Sequence, residues 1–230
     1  IGVPIFEAYG MTENCAYATG NNDKKMKLGT VGVPNHGVEI KLADDGEILT
    51  KSPAVFKGYF KDEEATREVI DSEGWLYTGD VGIFDGEFLK IVDRKKDIII
   101  TSGGKNVSPQ EIENKIKISP FIKDALVIGD KRKFLSVLVS IEFETVSNWA
   151  LRKNITHTTY RDLSEKKEVK DLVWGEILKA NAKTSSLEIR KFKMLPKELD
   201  HEDGETTATQ KIKKNVVMEK FSDLIEEMYS

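Results

Sequence analysis

Apolar and polar positions alternate over Val38-Glu39-Ile40-Lys41-Leu42, and Asp44-Asp45-Gly46 then turns the chain into Glu47-Ile48-Leu49-Thr50. Alternation with a period of two on either side of an Asp-Gly pair predicts a β-hairpin. A second hairpin is predicted around Asp85-Gly86, between residues 81–84 and 87–92. Between the two, Asp62 has the place of an N-cap for a short helix with Ala65, Val69 and Ile70 on its apolar side. Residues 3–9 read as a buried strand ending at Gly10. No capping turn precedes that strand, so the chain is expected to be a piece whose preceding half is missing.

The pattern changes after Asp93-Arg94-Lys95-Lys96-Asp97. Ser108-Pro109-Gln110-Glu111 has the spacing of a capping box with proline in the first turn, and Ile112, Ile116 and Ile118 are its expected apolar stripe. Strands are predicted near 125–128 and 135–141, and helices over 142–153, 159–164 and 165–182. Residues 189–195 alternate like a strand. One closing helix, about 212–228, carries Val216, Val217, Phe221, Leu224, Ile225 and Met228. The fold expected is α+β in two parts: a β-rich segment, 1–96, and a smaller α+β domain, 97–230.

Charge supports that division. Residues 1–96 hold twelve basic and seventeen acidic side chains, against twenty-three and twenty-two in 97–230. The net charge of −4 gives no support to a nucleic-acid partner. With 39% hydrophobic and 32% charged residues, 230 positions suffice for a real core, and no apolar run is long enough to span a bilayer. No charged-then-apolar leader opens the chain. Cys15 is the single cysteine, so no disulfide framework exists. It is expected to be a small packing residue, and the protein to be cytoplasmic.

Four clusters can carry chemistry, each with a plain alternative. Tyr9-Gly10-Met11-Thr12-Glu13 follows a strand, and its hydroxyl and carboxylate can hold a phosphate oxygen and a metal ion; it also reads as a polar turn. Gly74-Trp75-Leu76-Tyr77-Thr78-Gly79-Asp80 presents one carboxylate able to accept two hydroxyls, as in gripping a ribose, or merely a solvated turn. The 93–97 charge run leads to Ile98-Ile99-Ile100-Thr101-Ser102-Gly103-Gly104-Lys105-Asn106, whose paired glycines permit close approach by a ligand. Alone, such a charge run is a solvated surface. Thr206-Thr207-Ala208-Thr209-Gln210-Lys211 is a poor helix and a good extended loop that presents Lys211. His36, His157 and His201 have no metal-ligand spacing, and no Ser–His–carboxylate pattern is visible.

Taken together, the four clusters resemble the C-terminal part of the acyl-adenylate-forming (AMP-binding) enzymes, over nearly the whole chain. The stretch 98–113, Leu138-Val139-Ser140-Ile141 and Trp149-Ala150 are similar to bacterial long-chain fatty acid–CoA ligases. The resemblance implies a β-rich remnant of the large AMP-binding domain followed by a small mobile domain. It also implies a reaction: a fatty acid carboxylate attacks the α-phosphorus of ATP, with Mg2+, and CoA then displaces AMP. Tyr9 would stack on adenine, Thr12 contact the α-phosphate and Glu13 ligate Mg2+. Asp80 and Arg94 would hold the ribose, and Ile91 would line the nucleotide pocket. Lys211 would bridge carboxylate and phosphate, Lys96 would be the hinge, and Gly103-Gly104-Lys105 would face the pantetheine arm of CoA. The chain departs from the family in lacking its upstream Gly/Ser/Thr-rich phosphate loop, so the fragment alone is expected to be inactive. Lys214 stands where relatives often carry arginine. An acyl–acyl-carrier-protein ligase and a non-catalytic nucleotide-binding relative share the same motifs. Peripheral membrane contact is compatible with amphiphilic substrates, though no strongly basic amphipathic helix demands it.

Overall fold

Local signals set most of the first unit, Ile1–Asp97. The computed structural model describes residues 2–182 and 188–230. Short strands β1 (Ala8–Tyr9), β2 (Thr19–Gly20) and β3 (Val33–Pro34) form one antiparallel sheet. Strands β4 (Glu39–Leu42), β5 (Glu47–Lys51), β6 (Leu76–Asp85) and β7 (Phe88–Arg94) form an antiparallel meander in that order. Helix α1 (Glu63–Val69) begins where Asp62 accepts a hydrogen bond from Ala65 N. The loops after Leu42 and Asp85 are the two predicted hairpins. Tyr9, Ala18, Ile48 and Leu89 make the small core, with Val31, Ile40, Leu42 and Ile91 against it.

Two expectations for this unit are corrected. Only Ala8 and Tyr9 of the 3–9 stretch form a strand, and Val3, Ile5 and Phe6 are exposed, because the β1–β2 register ends at the Ala8–Gly20 pair. Cys15 is exposed rather than packed, since it and Ala16 adopt left-handed backbone to fold the chain back toward β2.

The second unit, Ile98–Ser230, opens with a small hairpin of β8 (Ile99–Ile100) and β9 (Asn106–Val107). Helix α2 (Pro109–Ile116) is capped by Ser108, whose hydroxyl accepts from Glu111 N, while the Glu111 carboxylate pairs with Lys115. Strands β10 (Ile122–Ile128) and β11 (Leu135–Ile141) are antiparallel. Helices α3 (Phe143–Arg152), α4 (Tyr160–Glu165) and α5 (Lys167–Asn181) then carry the chain over to β12 (Ile189–Met194), which runs parallel to β11. The crossover explains why β11 is buried at all seven positions. Leu135, Val137, Val139 and Ile141 meet the side chains of α2, α3 and α5. Leu138 points the other way, to Val217, Phe221, Ile225 and Met228.

Val217 lies on helix α6 (Lys214–Lys220) and Ile225 and Met228 on helix α7 (Ser222–Tyr229), with Phe221 at the break between them, where one helix was predicted. Phe221 (φ −110°, ψ 28°) leaves helical geometry, yet its N–H still bonds Val217 O and its carbonyl still accepts from Ile225. The apolar spacing therefore runs straight through the break. Ile118 is also corrected: it lies beyond the end of α2 and is exposed.

Candidate functional site

In the first unit, sheet register brings together three residues far apart in sequence. Asp80 on β6 lies opposite Arg94 on β7, and Arg94 Nε sits 2.9 Å from Asp80 Oδ1. The Tyr9 hydroxyl donates to Asp80 Oδ2 at 2.6 Å from β1. Asp80 and Tyr9 are both buried, whereas the Arg94 side chain is about half exposed. Burial, then the bond to Asp80, push the Tyr9 phenol well above its ordinary range. Each carboxylate oxygen has two acceptor directions, so Asp80 retains capacity for further hydroxyls.

Behind this trio stands a brace that the sequence did not reveal. Glu47, buried at the start of β5, accepts Gly79 N–H at 2.9 Å through Oε1. Lys95 Nζ lies 2.7 Å from Glu47 Oε2 and 2.6 Å from Asp45 Oδ2. The 93–97 run is thus only partly the solvated linker expected. Asp93 is buried, Arg94 and Lys95 are paired, and Lys96 is exposed in a one-turn 3-10 helix, Lys95–Asp97.

Gly10 ends β1 with no space for a side chain, since a Cβ there would stand 2.3 Å from the Ala16 carbonyl carbon. The loop it enters holds Thr12 and Glu13 in a 3-10 turn, Thr12–Asn14. Thr12 is exposed; Glu13 Oε1 accepts from the Tyr59 hydroxyl at 2.9 Å, and Glu13 O accepts from Phe56 N. The bond to Glu13 raises the Tyr59 phenol above its usual range. Ile91 is half-buried against the cluster that contains Tyr9.

In the second unit, Gly103, Gly104 and Lys105 form the exposed tip of the β8–β9 hairpin. Gly104 has φ +74° and donates to Thr101 O, a left-handed turn that favours glycine. Lys211 is exposed on the return leg of a second small hairpin, founded on a Thr206–Ile212 bridge. Thr207 N donates to Lys211 O at 2.8 Å, and Lys211 N donates to Thr207 Oγ1 at 3.1 Å. The threonine-rich segment is a loop but not extended throughout: Gln210 N donates to Thr207 O at 2.9 Å, and Gln210 has left-handed backbone at φ 61°.

A family model described as the AMP-binding enzyme C-terminal domain matches residues 96–230, and another described as AMP-binding enzyme matches residues 1–60. The chain belongs to the AMP-binding enzyme family. It is 38% identical over its full length to the long-chain-fatty-acid–CoA ligase FadD15 of Mycobacterium tuberculosis, and 34% to the peroxisomal long chain acyl-CoA synthetase 7 of Arabidopsis thaliana. It spans 38% and 35% of those relatives' lengths. Among solved structures, the o-succinylbenzoate coenzyme A synthetase of Bacillus subtilis in complex with ATP and magnesium ion is similar at TM-score 0.65 and 29% identity. That match covers 93% of this chain and 41% of the synthetase. The adenylation domain of a Mycobacterium chelonae carboxylate reductase shares the fold at TM-score 0.74 and 22% identity, over 97% of this chain and 34% of that one.

The side chains of this AMP-binding family member bear on a metal in one specific sense. Among the described residues no three acidic, histidine or cysteine side chains gather in a metal-holding group. A lone half-exposed carboxylate such as Glu13 suits Mg2+ carried mainly by phosphates and water rather than an all-protein cage. Sequence reading missed Tyr59, which orients Glu13, and the Glu47–Lys95 brace. The Gly-Tyr pair at 58–59 carries no distinguishing signal on its own.

Proposed function

We propose that this chain is the nucleotide-handling C-terminal portion of an AMP-forming long-chain fatty acid–CoA ligase. The Tyr9–Asp80–Arg94 trio, in a chain 34–38% identical to such ligases, carries the reading. Asp80 accepts the two ribose hydroxyls on the acceptor directions left free by Tyr9 and Arg94, and Arg94 contacts the same sugar. Tyr9 lies against the adenine, with Ile91 lining that pocket. Thr12 contacts the α-phosphate. Glu13, oriented by Tyr59, takes one position on Mg2+, and the metal offsets phosphate charge when bound.

Lys211 serves the first step, in which fatty acid carboxylate and ATP, both anions, must meet. A cation aimed where charge develops lowers that barrier, and losing one such contact commonly costs roughly 10²–10³ in rate. Lys96 is the hinge about which the second unit turns between steps. The Gly103-Gly104-Lys105 tip then faces the pantetheine arm of CoA.

The test uses the full-length enzyme with ATP, Mg2+ and palmitate. Fatty-acid-dependent pyrophosphate release is expected, followed by acyl-CoA formation on adding CoA. Asp80→Ala should raise KM for ATP, and Lys211→Ala should abolish pyrophosphate release. Transfer to a carrier protein but not to CoA would instead make it an acyl–acyl-carrier-protein ligase. Absence of any fatty-acid-dependent pyrophosphate release would leave a nucleotide-binding relative without this chemistry.

A further inference from the structure

Glu205 is a carboxylate with no exposed surface, beside buried Thr206, on a loop that is exposed at 200–203 and 208–211. Its Oε2 accepts Asp200 N–H at 2.9 Å and lies 3.0 Å from Lys197 Nζ. Its Oε1 lies 2.7 Å from Lys220 Nζ, a close ion pair outside hydrogen-bond alignment. Asp203 pairs with both lysines from the solvent side. Burial pushes the Glu205 carboxyl up, but Lys220, the Asp200 N–H and Lys197 outweigh it and hold the group below the ordinary range.

What this carboxylate anchors is the hairpin that presents Lys211. Glu205 N donates to Asp200 O at 3.0 Å, and Glu205 O accepts Lys213 N at 2.8 Å, closing the base of the loop. The Thr206–Ile212 bridge and the Thr207–Lys211 bonds stand directly on that base. Lys220 is the last residue of α6, and Lys197 follows β12, so the side chain ties the loop root to two elements of the packed core. The return leg has its own tie, because Lys214 Nζ lies 3.2 Å from both oxygens of buried Glu113, whose Oε1 also accepts Val127 N–H.

We propose that Glu205 is a positioning residue that fixes the base of the Lys211 hairpin and so sets where the lysine ammonium arrives in the first step. This rests on the reading of Lys211 given above. A buried carboxylate held by two lysines is a poor source of stability, since a well-packed apolar group serves as well, but it admits only one arrangement of its partners. Aim is what an exposed lysine on a short loop needs. A misplacement of about 1 Å costs a reaction roughly 10²-fold.

The test separates the two half-reactions in the full-length enzyme. Adenylation is read as palmitate-dependent pyrophosphate release without CoA, and thioester formation as acyl-CoA made from supplied palmitoyl-adenylate and CoA. Glu205→Gln and Lys220→Met should each lower kcat for adenylation by roughly tenfold or more, with KM for ATP and the thioester step unchanged. Lys220→Arg should restore most of the rate. If Glu205→Gln does not fold, Thr207→Val, which removes the acceptor of Lys211 N and the hydroxyl contact with Thr209, carries the same expectation. Both half-reactions falling together, or adenylation unchanged in folded variants, overturns the proposal. Lys211→Ala separates the levels. If it abolishes adenylation while Glu205→Gln does not reduce it, the anchor alone fails; if it leaves adenylation intact, the underlying reading fails.

Discussion

Replacing Lys95 by Met removes one cation from two carboxylates of very different exposure. The Glu47 side chain is 6% exposed, that of Asp45 52% and that of Lys95 48%. The Asp45 pair is an exposed contact worth about 0.2–1 kcal/mol. Stranding a fully buried partner costs about 3–5 kcal/mol, and a half-exposed lysine screened by water brings the Glu47 part down to about 1–2 kcal/mol. The sum is about 2 kcal/mol. Glu47→Gln keeps an acceptor for Gly79 N–H, so a cycle of Lys95→Met, Glu47→Gln and the double variant isolates the pair, with an expected coupling of about 1–2 kcal/mol. Urea denaturation followed by Trp fluorescence provides the measurement, since Trp75 lies in the same unit.

The sign with pH follows from the shifts. Lys95 is held above the lysine range by Asp45 and then Glu47, so its contribution is complete below about pH 10.4 and lost as pH rises through the raised value. Asp45, depressed chiefly by Lys95, contributes above about pH 3.9 and loses its share as pH falls through the lowered value. The coupling should therefore be the same at pH 6 and pH 9. A coupling below about 0.3 kcal/mol, or one that changes between those pH values, refutes the brace.

Two further variants probe packing. Gly10→Ala forces a methyl to 2.3 Å from the backbone of Ala16, so the 310-turn holding Thr12 and Glu13 must shift; a lower urea midpoint is expected together with weaker ATP binding, and an unchanged midpoint counts against the close approach. Leu138→Ala empties a fully buried position between β11 and the closing helices and should cost about 2–5 kcal/mol in the second unit, measured by calorimetry.

Features defined by neighbouring residues were legible in the sequence. Asp62 and Ser108 cap the helices they were expected to cap, and both Asp-Gly hairpins form where the alternation turns. Asp80 stood out in the sequence as one carboxylate among glycines and aromatics, but its partner Tyr9 lies 71 positions away, and only sheet register joins them. Buried carboxylates were the main blind spot. Glu47, Glu113 and Glu205 look like surface residues by pattern, because the lysines that make their burial tolerable come from remote segments. The break at Phe221 was hidden for a different reason: residues 217, 221, 225 and 228 keep helical spacing across it.

The middle strand of the second unit fixes its own register. On one side of β11 sit four aliphatic groups, and on the other Leu138 is flanked by Ser136, bonded to Tyr229, and Ser140, bonded to Asp124. Sliding the strand by one step would thrust both hydroxyls among the aliphatic partners and strip Tyr229 and Asp124 of theirs. The strand thus works as a keyed shaft, whose order of oily and hydroxylated teeth admits a single setting against its neighbours.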